Sequence, residues 1–512
     1  MTTNVYTWLR EAAAAVPGKI AFSDGKTAVT YGELLRRSQA GATAVSRALG
    51  GRRRLPVFVC IGRRADDVLA FLSVAAAGCF YVPVDLSLPR SRLEELYRQM
   101  EPPLVIIPDP CADVSAFPSP GVSLADLCAG EADPALLDRI AGEMLDYDPL
   151  YCIFTSGSTG VPKGVLVSHR SVINMAEQFT RVFGLDERCV FGNQAPFDFD
   201  VSVKDIYCAL RNRATVHILE RSLFSQPKKL IGRMNEHGVN TAIWSVSAMK
   251  ILSAFKAFRN ERPEKLRLMM FSGEVLPCRL LAEWQDVFPE AEFVNLYGPT
   301  EITCNCTYYK VRRRFDPQEV LPIGVPFPNI RVFLLDGDRP VTQPGEVGEI
   351  CVSGTCLALG YFGEPELTAA AFPQNPAQSL WPERIYRTGD LGRLNQDGEL
   401  LFLGRADSQV KYMGFRVELG EIEAKACAVD FVEAACCLFD GEKDQLCLFY
   451  QARERNDRAL TLALKQSLPA HMVPRRLICF DQMPLNRTGK PDRGLLKREY
   501  LGRSNGTGRE KE

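Results

Sequence analysis

Apolar and polar positions alternate between two periods along the first half of the chain. Residues 55–61 and 79–84 are apolar runs of strand length, and residues 65–77 between them carry the apolar spacing of a helix. A polar amphipathic helix is predicted over 91–100, followed by a strand over 104–108. This strand–helix repetition predicts a parallel sheet covered by helices, because a parallel crossover returns the chain through a helix. A second region of the same kind runs over 151–293, with strands at 215–219 and 268–271. After residue 300 Pro and Gly separate short strands such as 331–335, 349–353 and 398–403, the pattern of a β-rich, barrel-like subdomain. From residue 408 a smaller unit is predicted, opening with a hairpin around Met413-Gly414 and a helix over 421–428. Residues 502–512 are polar and read as a disordered tail. The expected fold class is α/β. A large body over 1–406 would hold two helix-covered sheets plus the barrel-like subdomain, and a small mobile α+β domain would span 407–501.

Composition excludes a few function classes. The 512 residues are 46% hydrophobic and 24% charged, ordinary usage for a soluble protein and unlike a disordered or fibrous chain. Lys plus Arg total 61 against 62 for Asp plus Glu, a net charge of −1, which argues against a whole-protein footprint for nucleic acid or anionic membrane. The basic clusters Arg52-Arg53-Arg54 and Arg312-Arg313-Arg314 read as solvated loops. No basic-then-apolar leader opens the chain, and the near-apolar run 69–84 is too short for a membrane span and contains Gly78 and Pro83. A cytoplasmic protein is expected. The seventeen cysteines are scattered through apolar segments, as at Cys152, Cys208, Cys351 and Cys447, with no C-x-x-C pair and only four histidines. They read as buried reduced thiols rather than a zinc site.

The strongest local motif is Ile153-Phe154-Thr155-Ser156-Gly157-Ser158-Thr159-Gly160-Val161-Pro162-Lys163-Gly164. An apolar strand runs into a loop whose glycines let several N–H groups face one anion, while hydroxyls and Lys163 add donors. It is not a Walker A loop, because Pro162 precedes the lysine and Gly164 follows it. From its residues alone the segment is either a polyphosphate cradle or a flexible surface loop.

Further strings occur in a definite order. They are Thr30-Tyr31-Gly32-Glu33-Leu34, Tyr81-Val82-Pro83-Val84-Asp85, the loop above, Asn295-Leu296-Tyr297-Gly298-Pro299-Thr300-Glu301, and Gly348-Glu349-Ile350. Tyr386-Arg387-Thr388-Gly389-Asp390, Gly404-Arg405-Ala406-Asp407, Leu468-Pro469 with Met472-Val473-Pro474, and Asn486-Arg487-Thr488-Gly489-Lys490 complete the set. Together they resemble the adenylate-forming superfamily over residues 6–501. Within it the chain is most similar to amino-acid adenylation domains of nonribosomal peptide synthesis, in particular the stand-alone D-alanine–carrier protein ligases.

The resemblance implies an AMP-forming ligase that activates an amino acid with ATP and Mg²⁺, releases pyrophosphate, and passes the acyl group to a phosphopantetheine thiol. In that scheme Thr155, Ser156, Gly157, Ser158, Thr159, Gly160 and Lys163 hold the β- and γ-phosphates. Thr300 donates to the α-phosphate and Glu301 ligates Mg²⁺, a cation suited to one carboxylate plus phosphate oxygens. Tyr297 and Asn295, beside Gly298, contact adenine, while Asp390 accepts from the ribose hydroxyls with Arg405 nearby. Lys490 is the expected catalytic lysine, reaching the substrate carboxylate and the α-phosphate as charge develops. Asp407 is the expected hinge about which the small domain swings, the hairpin 411–414 replacing Lys490 for thioester formation. Outside the resemblance, Asp390 and Asp407 would be turn residues and Lys490 a solvated cation.

Phe199-Asp200-Val201-Ser202-Val203-Lys204 matches the substrate-pocket stretch, with Asp200 where an aspartate receives an α-ammonium. Val201, Lys204, Met270, Ser272, Leu296, Cys304 and Asn305 are the other pocket positions by resemblance. Two depart from the D-alanine ligases: Ser272 stands in place of a cysteine, and Lys204 in place of an apolar or aromatic residue. Lys204 either points inward, toward an acidic or polar side chain, or snorkels out along its helix. The candidate substrates are therefore D-alanine or a small polar or acidic α-amino acid. No Gly-Gly-x-Ser attachment motif follows Lys490, so the expected carrier is a separate phosphopantetheinylated protein. A CoA ligase for a small carboxylic acid is the alternative, against which Asp200 speaks. A non-catalytic binding protein on this fold would lack Lys490 or Glu301, and both are present.

Overall fold

The computed structural model describes residues 2–108, 113–119, 121–157, 161–405, 409–485 and 491–501. The chain divides into two units: Met1–Leu86, Tyr97–Thr155 and Gly164–Ala406 form the first, and Ser87–Leu96, Ser156–Lys163 and Asp407–Glu512 the second.

Runs that are apolar on both faces of a strand become interior strands, because a parallel sheet covered by helices hides both faces. Pro56–Ile61 and Phe80–Asp85 pair in parallel and are buried along nearly their whole length. They lie in a seven-stranded sheet of order Gly360–Tyr361, Lys163–Ser168, Pro149–Thr155, Phe80–Asp85, Pro56–Ile61, Leu104–Ile107, Gly121–Ser123. A nine-stranded sheet runs in the order Val325–Pro326, Thr307–Lys310, Glu292–Tyr297, Leu268–Ser272, Thr241–Ser245, Val190–Asn193, Thr215–Ile218, Ile20–Ser23, Ala28–Thr30. The Pro- and Gly-punctuated region forms a five-stranded antiparallel sheet built on Ile330–Asp336, Gly348–Gly354, Tyr386–Leu394 and Leu400–Arg405, with Arg339–Val341 at one edge.

The second unit opens with the hairpin Gln409–Tyr412 and Phe415–Glu418. Its two-residue turn places Met413 and Gly414 at positive φ, 52° and 83°, as the twist of a tight hairpin requires. A three-stranded sheet of Ala434–Asp440, Gln445–Gln451 and Arg476–Phe480 packs with helices Leu419–Cys427 and Asp457–Ser467. The sixteen described cysteines are unpaired, and all but Cys128, Cys427 and Cys479 are buried. Among the described residues no helix is long and apolar enough to cross a membrane.

One helix of the first unit, Val201–Asn212, is unusual in being buried from Val201 to Leu210 while carrying Ser202, Lys204 and Asp205. A helix hidden on all sides must satisfy each polar group through its neighbours. Its far end is clamped by Tyr31, whose hydroxyl donates to the carbonyls of Ala209 at 3.0 Å and Ala214 at 2.6 Å. Midway, the Tyr207 and Tyr81 hydroxyls share a hydrogen bond of 3.0 Å, and Asn193 Nδ2 donates to Asp205 Oδ2 at 2.8 Å. At its start the Cys304 thiol donates to the Asp200 carbonyl at 3.1 Å. Two of the sequence strings, around Tyr31 and Tyr81, thus act structurally by fixing this helix.

Burial pushes the Asp205 carboxyl up to about 7, against the opposing pulls of Asn193, Lys204 and Arg63, from an ordinary value of 3.8. In the unfolded chain it ionises from pH 4 upward, while in the folded protein it resists ionisation until pH 7. Its contribution to stability is therefore whole below pH 4 and is lost as pH rises through 7. Asp205→Asn keeps an acceptor for Asn193 and cannot ionise. Its melting temperature relative to wild type should climb between pH 4.5 and 7.5, by a span on the order of 2–4 kcal/mol in unfolding free energy. A pH-independent difference between the two proteins would contradict this.

Candidate functional site

Strand Glu292–Tyr297 lies between Leu268–Ser272 and Thr307–Lys310 in the nine-stranded sheet, and it delivers Asn295, Leu296 and Tyr297 to its C-terminal end. The strand stops at Gly298, where a Cβ would sit 2.6 Å from the Asn305 Cα, so only glycine allows the returning chain to approach. Asn295 Nδ2 donates to the Pro322 carbonyl at 2.8 Å. The Tyr297 hydroxyl donates to Asp390 Oδ2 at 2.5 Å, and Arg405 Nη1 donates to Asp390 Oδ1 at 2.6 Å. All three lie in the first unit, and Asp390 and Tyr297 are buried. Burial and the Asp390 carboxylate hold the Tyr297 phenol well above its ordinary value, so it stays the donor.

The aim of Asp390 is set by its own sheet. Asp390 pairs with Arg405 in register on adjacent strands. Glu349 accepts from Arg387 Nε at 2.8 Å and from the Gly389 amide at 2.9 Å, where Gly389 has a φ of 72°. The irregularity between Glu349 and Cys351 accompanies this clasp and turns Asp390 inward. The strings around Glu349 and Asp390 are therefore one device.

After Gly298 a short 3₁₀ turn, Thr300–Ile302, carries Thr300 and Glu301 into the interior. Tyr361 donates its hydroxyl to Glu301 Oε1 at 2.8 Å, which orients the carboxylate. Thr303 and Cys304 follow with φ of 56° and 75°, a left-handed conformation that is costly for a β-branched residue. Thr303 Oγ1 donates to the Cys356 carbonyl at 2.8 Å and holds the strained turn. That turn aims Asn305 at Lys204, whose Nζ donates to Asn305 Oδ1 at 2.7 Å.

Asp200, Val201, Lys204, Met270, Ser272, Leu296, Cys304 and Asn305 are all buried. Met270 and Ser272 alternate onto one face of their strand, and the register Met270–Val294 sets Leu296 level with Ser272 on that same face. The opposite face, with Trp244, Met269, Phe271 and Phe293, belongs to a separate apolar cluster. Lys204 is fully buried, which resolves its two sequence-derived orientations in favour of the interior. Burial draws its ammonium below the ordinary lysine value, and the nearby Cys304, Asp200 and Asp205 oppose that shift. Burial beside Asp200 lifts the Cys304 thiol well above its ordinary value, so Cys304 is a neutral donor and not a nucleophile.

Strand Pro149–Thr155 ends in Thr155, whose Oγ1 is buried without a hydrogen-bond partner among the described residues. In the second unit Ser156 Oγ donates to the Arg416 carbonyl at 2.8 Å. A Cβ at Gly157 would lie 1.8 Å from the Val161 carbonyl oxygen, so the loop folds back on itself there and admits only glycine. Lys163 begins the next strand. Ser158, Thr159, Gly160, Asp407 and Lys490 lie outside the described residues.

Sequence reading missed Tyr361, Thr303 and Asn193, which hold Glu301, the strained turn and Asp205. It also missed the buried Tyr151, which adjoins Cys304 and Asp200. The signal available was a polar group inside an apolar run, as in Tyr151-Cys152-Ile153, but its partners lie far away along the chain.

The family described as "AMP-binding enzyme" matches residues 9–362. The chain is 32% identical over 502 residues to a D-alanine–D-alanyl carrier protein ligase of Bacillus velezensis, covering 96% of this chain and 98% of that protein. It is 30% identical to tyrocidine synthase 1 of Brevibacillus parabrevis over 502 residues, 96% of this chain and 45% of that one. Among solved structures, holo-PA1221, an NRPS protein containing adenylation and PCP domains bound to a vinylsulfonamide inhibitor, aligns with a TM-score of 0.84. The identity is 25%, over 97% of this chain and 84% of that one. With more than half its length matched, the chain belongs to the AMP-binding enzyme family.

Proposed function

We propose that the protein activates an α-amino acid as its aminoacyl-adenylate and transfers it to the phosphopantetheine thiol of a separate carrier protein. The observation that carries this reading is Asp200, a buried carboxylate at the start of the clamped helix Val201–Asn212. A carboxylate buried there, with Lys204 one turn further on, is suited to receive the α-ammonium of an amino acid. Similarity over nearly the whole chain to a protein named D-alanine–D-alanyl carrier protein ligase supports both the substrate class and the carrier.

In the first half-reaction one oxygen of the substrate carboxylate bonds to the α-phosphorus of ATP, and the bond to the bridging oxygen breaks to release pyrophosphate. Catalysis of such a step is mainly positioning and stabilisation of phosphoryl charge. Asp390 receives the ribose hydroxyls. Each of its oxygens already accepts one hydrogen bond, from Tyr297 or Arg405, and a carboxylate has room for more. The Tyr297 ring and Asn295 flank adenine, and Thr300 donates to the α-phosphate. The unpartnered Thr155 Oγ1 and the tightly folded Gly157 suit a segment that, with Ser158, Thr159, Gly160 and Lys163, wraps the outer phosphates. Glu301, one carboxylate oriented by Tyr361, would hold Mg²⁺, a cation suited to a single carboxylate together with phosphate oxygens. The ion, when bound, neutralises phosphate charge. Lys490 meets the charge developing between the substrate carboxylate and the α-phosphate. In the second half-reaction the small domain turns about Asp407. The carrier thiol then attacks the acyl carbon, a C–S bond forms, and AMP leaves as the C–O bond breaks.

Amino-acid-dependent exchange of pyrophosphate into ATP, measured across a full panel including D-alanine, should reveal turnover with at least one amino acid. Exchange with none would sink the reading. Lys490→Ala should lower adenylate formation by about 10²–10³-fold while sparing thioester transfer from preformed adenylate. Equal losses in both steps would contradict the division of roles. Tyr297→Phe removes one of the two donors that orient Asp390, and should raise the KM for ATP about tenfold with the KM for the amino acid unchanged.

A further inference from the structure

Lys204 lies in the interior, one turn along the helix from Asp200. Its ammonium is fully buried, yet the described residues supply one hydrogen-bond acceptor, Asn305 Oδ1 at 2.7 Å. An ammonium has three N–H donors, so two are left for something that Asn305 does not provide. The strained turn at Thr303 and Cys304 holds that acceptor in place, and the apolar Met270 and Leu296 together with the Ser272 hydroxyl line the same sheet face.

Charge balance indicates what the missing partner is. Asp200 and Lys204 lie one helical turn apart on the same buried helix, so one carboxylate and one ammonium are already close to neutral. The other titratable groups that bear on Lys204 are Asp205, Cys304 and Cys208. Asp205 accepts from Asn193 at Oδ2, its buried Oδ1 has no hydrogen-bond partner among the described residues, Arg63 offsets its charge, and both thiols are neutral. With its α-carboxylate turned out toward ATP, an amino acid with an uncharged side chain would add only its α-ammonium to this balanced pair and leave a net positive charge at the pocket, away from water, which is costly. A substrate with a side-chain carboxylate brings both charges. Two carboxylates then face two ammoniums, and the spare Lys204 donors are used.

We propose that the protein selects an α-amino acid whose side chain ends in a carboxylate, received by Lys204 beside Asn305. This rests on the reading that Asp200 takes the α-ammonium. Lys204 is then a specificity-determining residue, and D-alanine a poor substrate.

The test is pyrophosphate exchange by the full chain at saturating ATP, with both enantiomers of aspartate, glutamate, asparagine, glutamine, serine and alanine. The expected result is an acidic substrate favoured over its own amide by at least about 100-fold in kcat/KM. Lys204→Met should abolish that preference, chiefly through KM, and raise relative turnover of neutral side chains. Asn305→Ala, which leaves the helix intact, should weaken the same preference if Lys204→Met fails to fold. Preference for alanine, serine or an amide, or an acid-to-amide ratio that neither substitution moves, would overturn the inference while leaving amino-acid activation standing. Exchange with no amino acid at all would remove both.

Discussion

Charged groups taken out of water in the larger unit must be met by donors and acceptors from other elements, and those meetings set how its sheets are aligned. Asp390 shows the constraint most clearly. Its strand belongs to the five-stranded sheet, while the Tyr297 hydroxyl that reaches Oδ2 at 2.5 Å comes from the nine-stranded sheet. A hydrogen bond to a buried charged group is worth about 1.5–3 kcal/mol, a sizeable share of the roughly 5–15 kcal/mol that keeps a domain folded. An alignment of the two sheets that lost this contact would therefore be selected against by energy alone.

The same logic governs helix Val201–Asn212. Tyr31, Tyr81, Asn193 and Cys304 come from four separate parts of the chain and meet the helix at its end, middle and start. Such a helix has little freedom to rotate, and the two charges one turn apart near its start are held in fixed directions. Rigid placement of this kind is what a specificity pocket needs, because a buried ammonium discriminates among ligands only when it cannot swing back to solvent. The strain at Thr303 and Cys304 contributes to the same end by aiming Asn305.

Much of this was legible in the amino-acid order. The strand over 56–61, the helix over 65–76 and the hairpin at Met413-Gly414 follow from local periodicity and turn chemistry. The ordered strings named the family, since backbone-limited features such as Gly157 and Gly298 must occur at set spacings. The direction of Lys204 was not legible. Whether a lysine at that spacing snorkels or turns inward depends on an acceptor 101 residues away, which no local pattern encodes. Tyr361 escaped for the same reason, standing 60 residues from the carboxylate it orients.

The sequence by itself determined the class of fold, the family and the identity of the chemical groups, because these rest on short-range geometry: strand alternation, glycine-only turns and ordered motifs. Tertiary structure alone decided which polar partner meets each buried charge. Asp390 with Tyr297, Glu301 with Tyr361, and Lys204 with Asn305 are pairings between distant segments. Electrostatic energy in a water-poor interior depends on those distances and hardly at all on position along the chain.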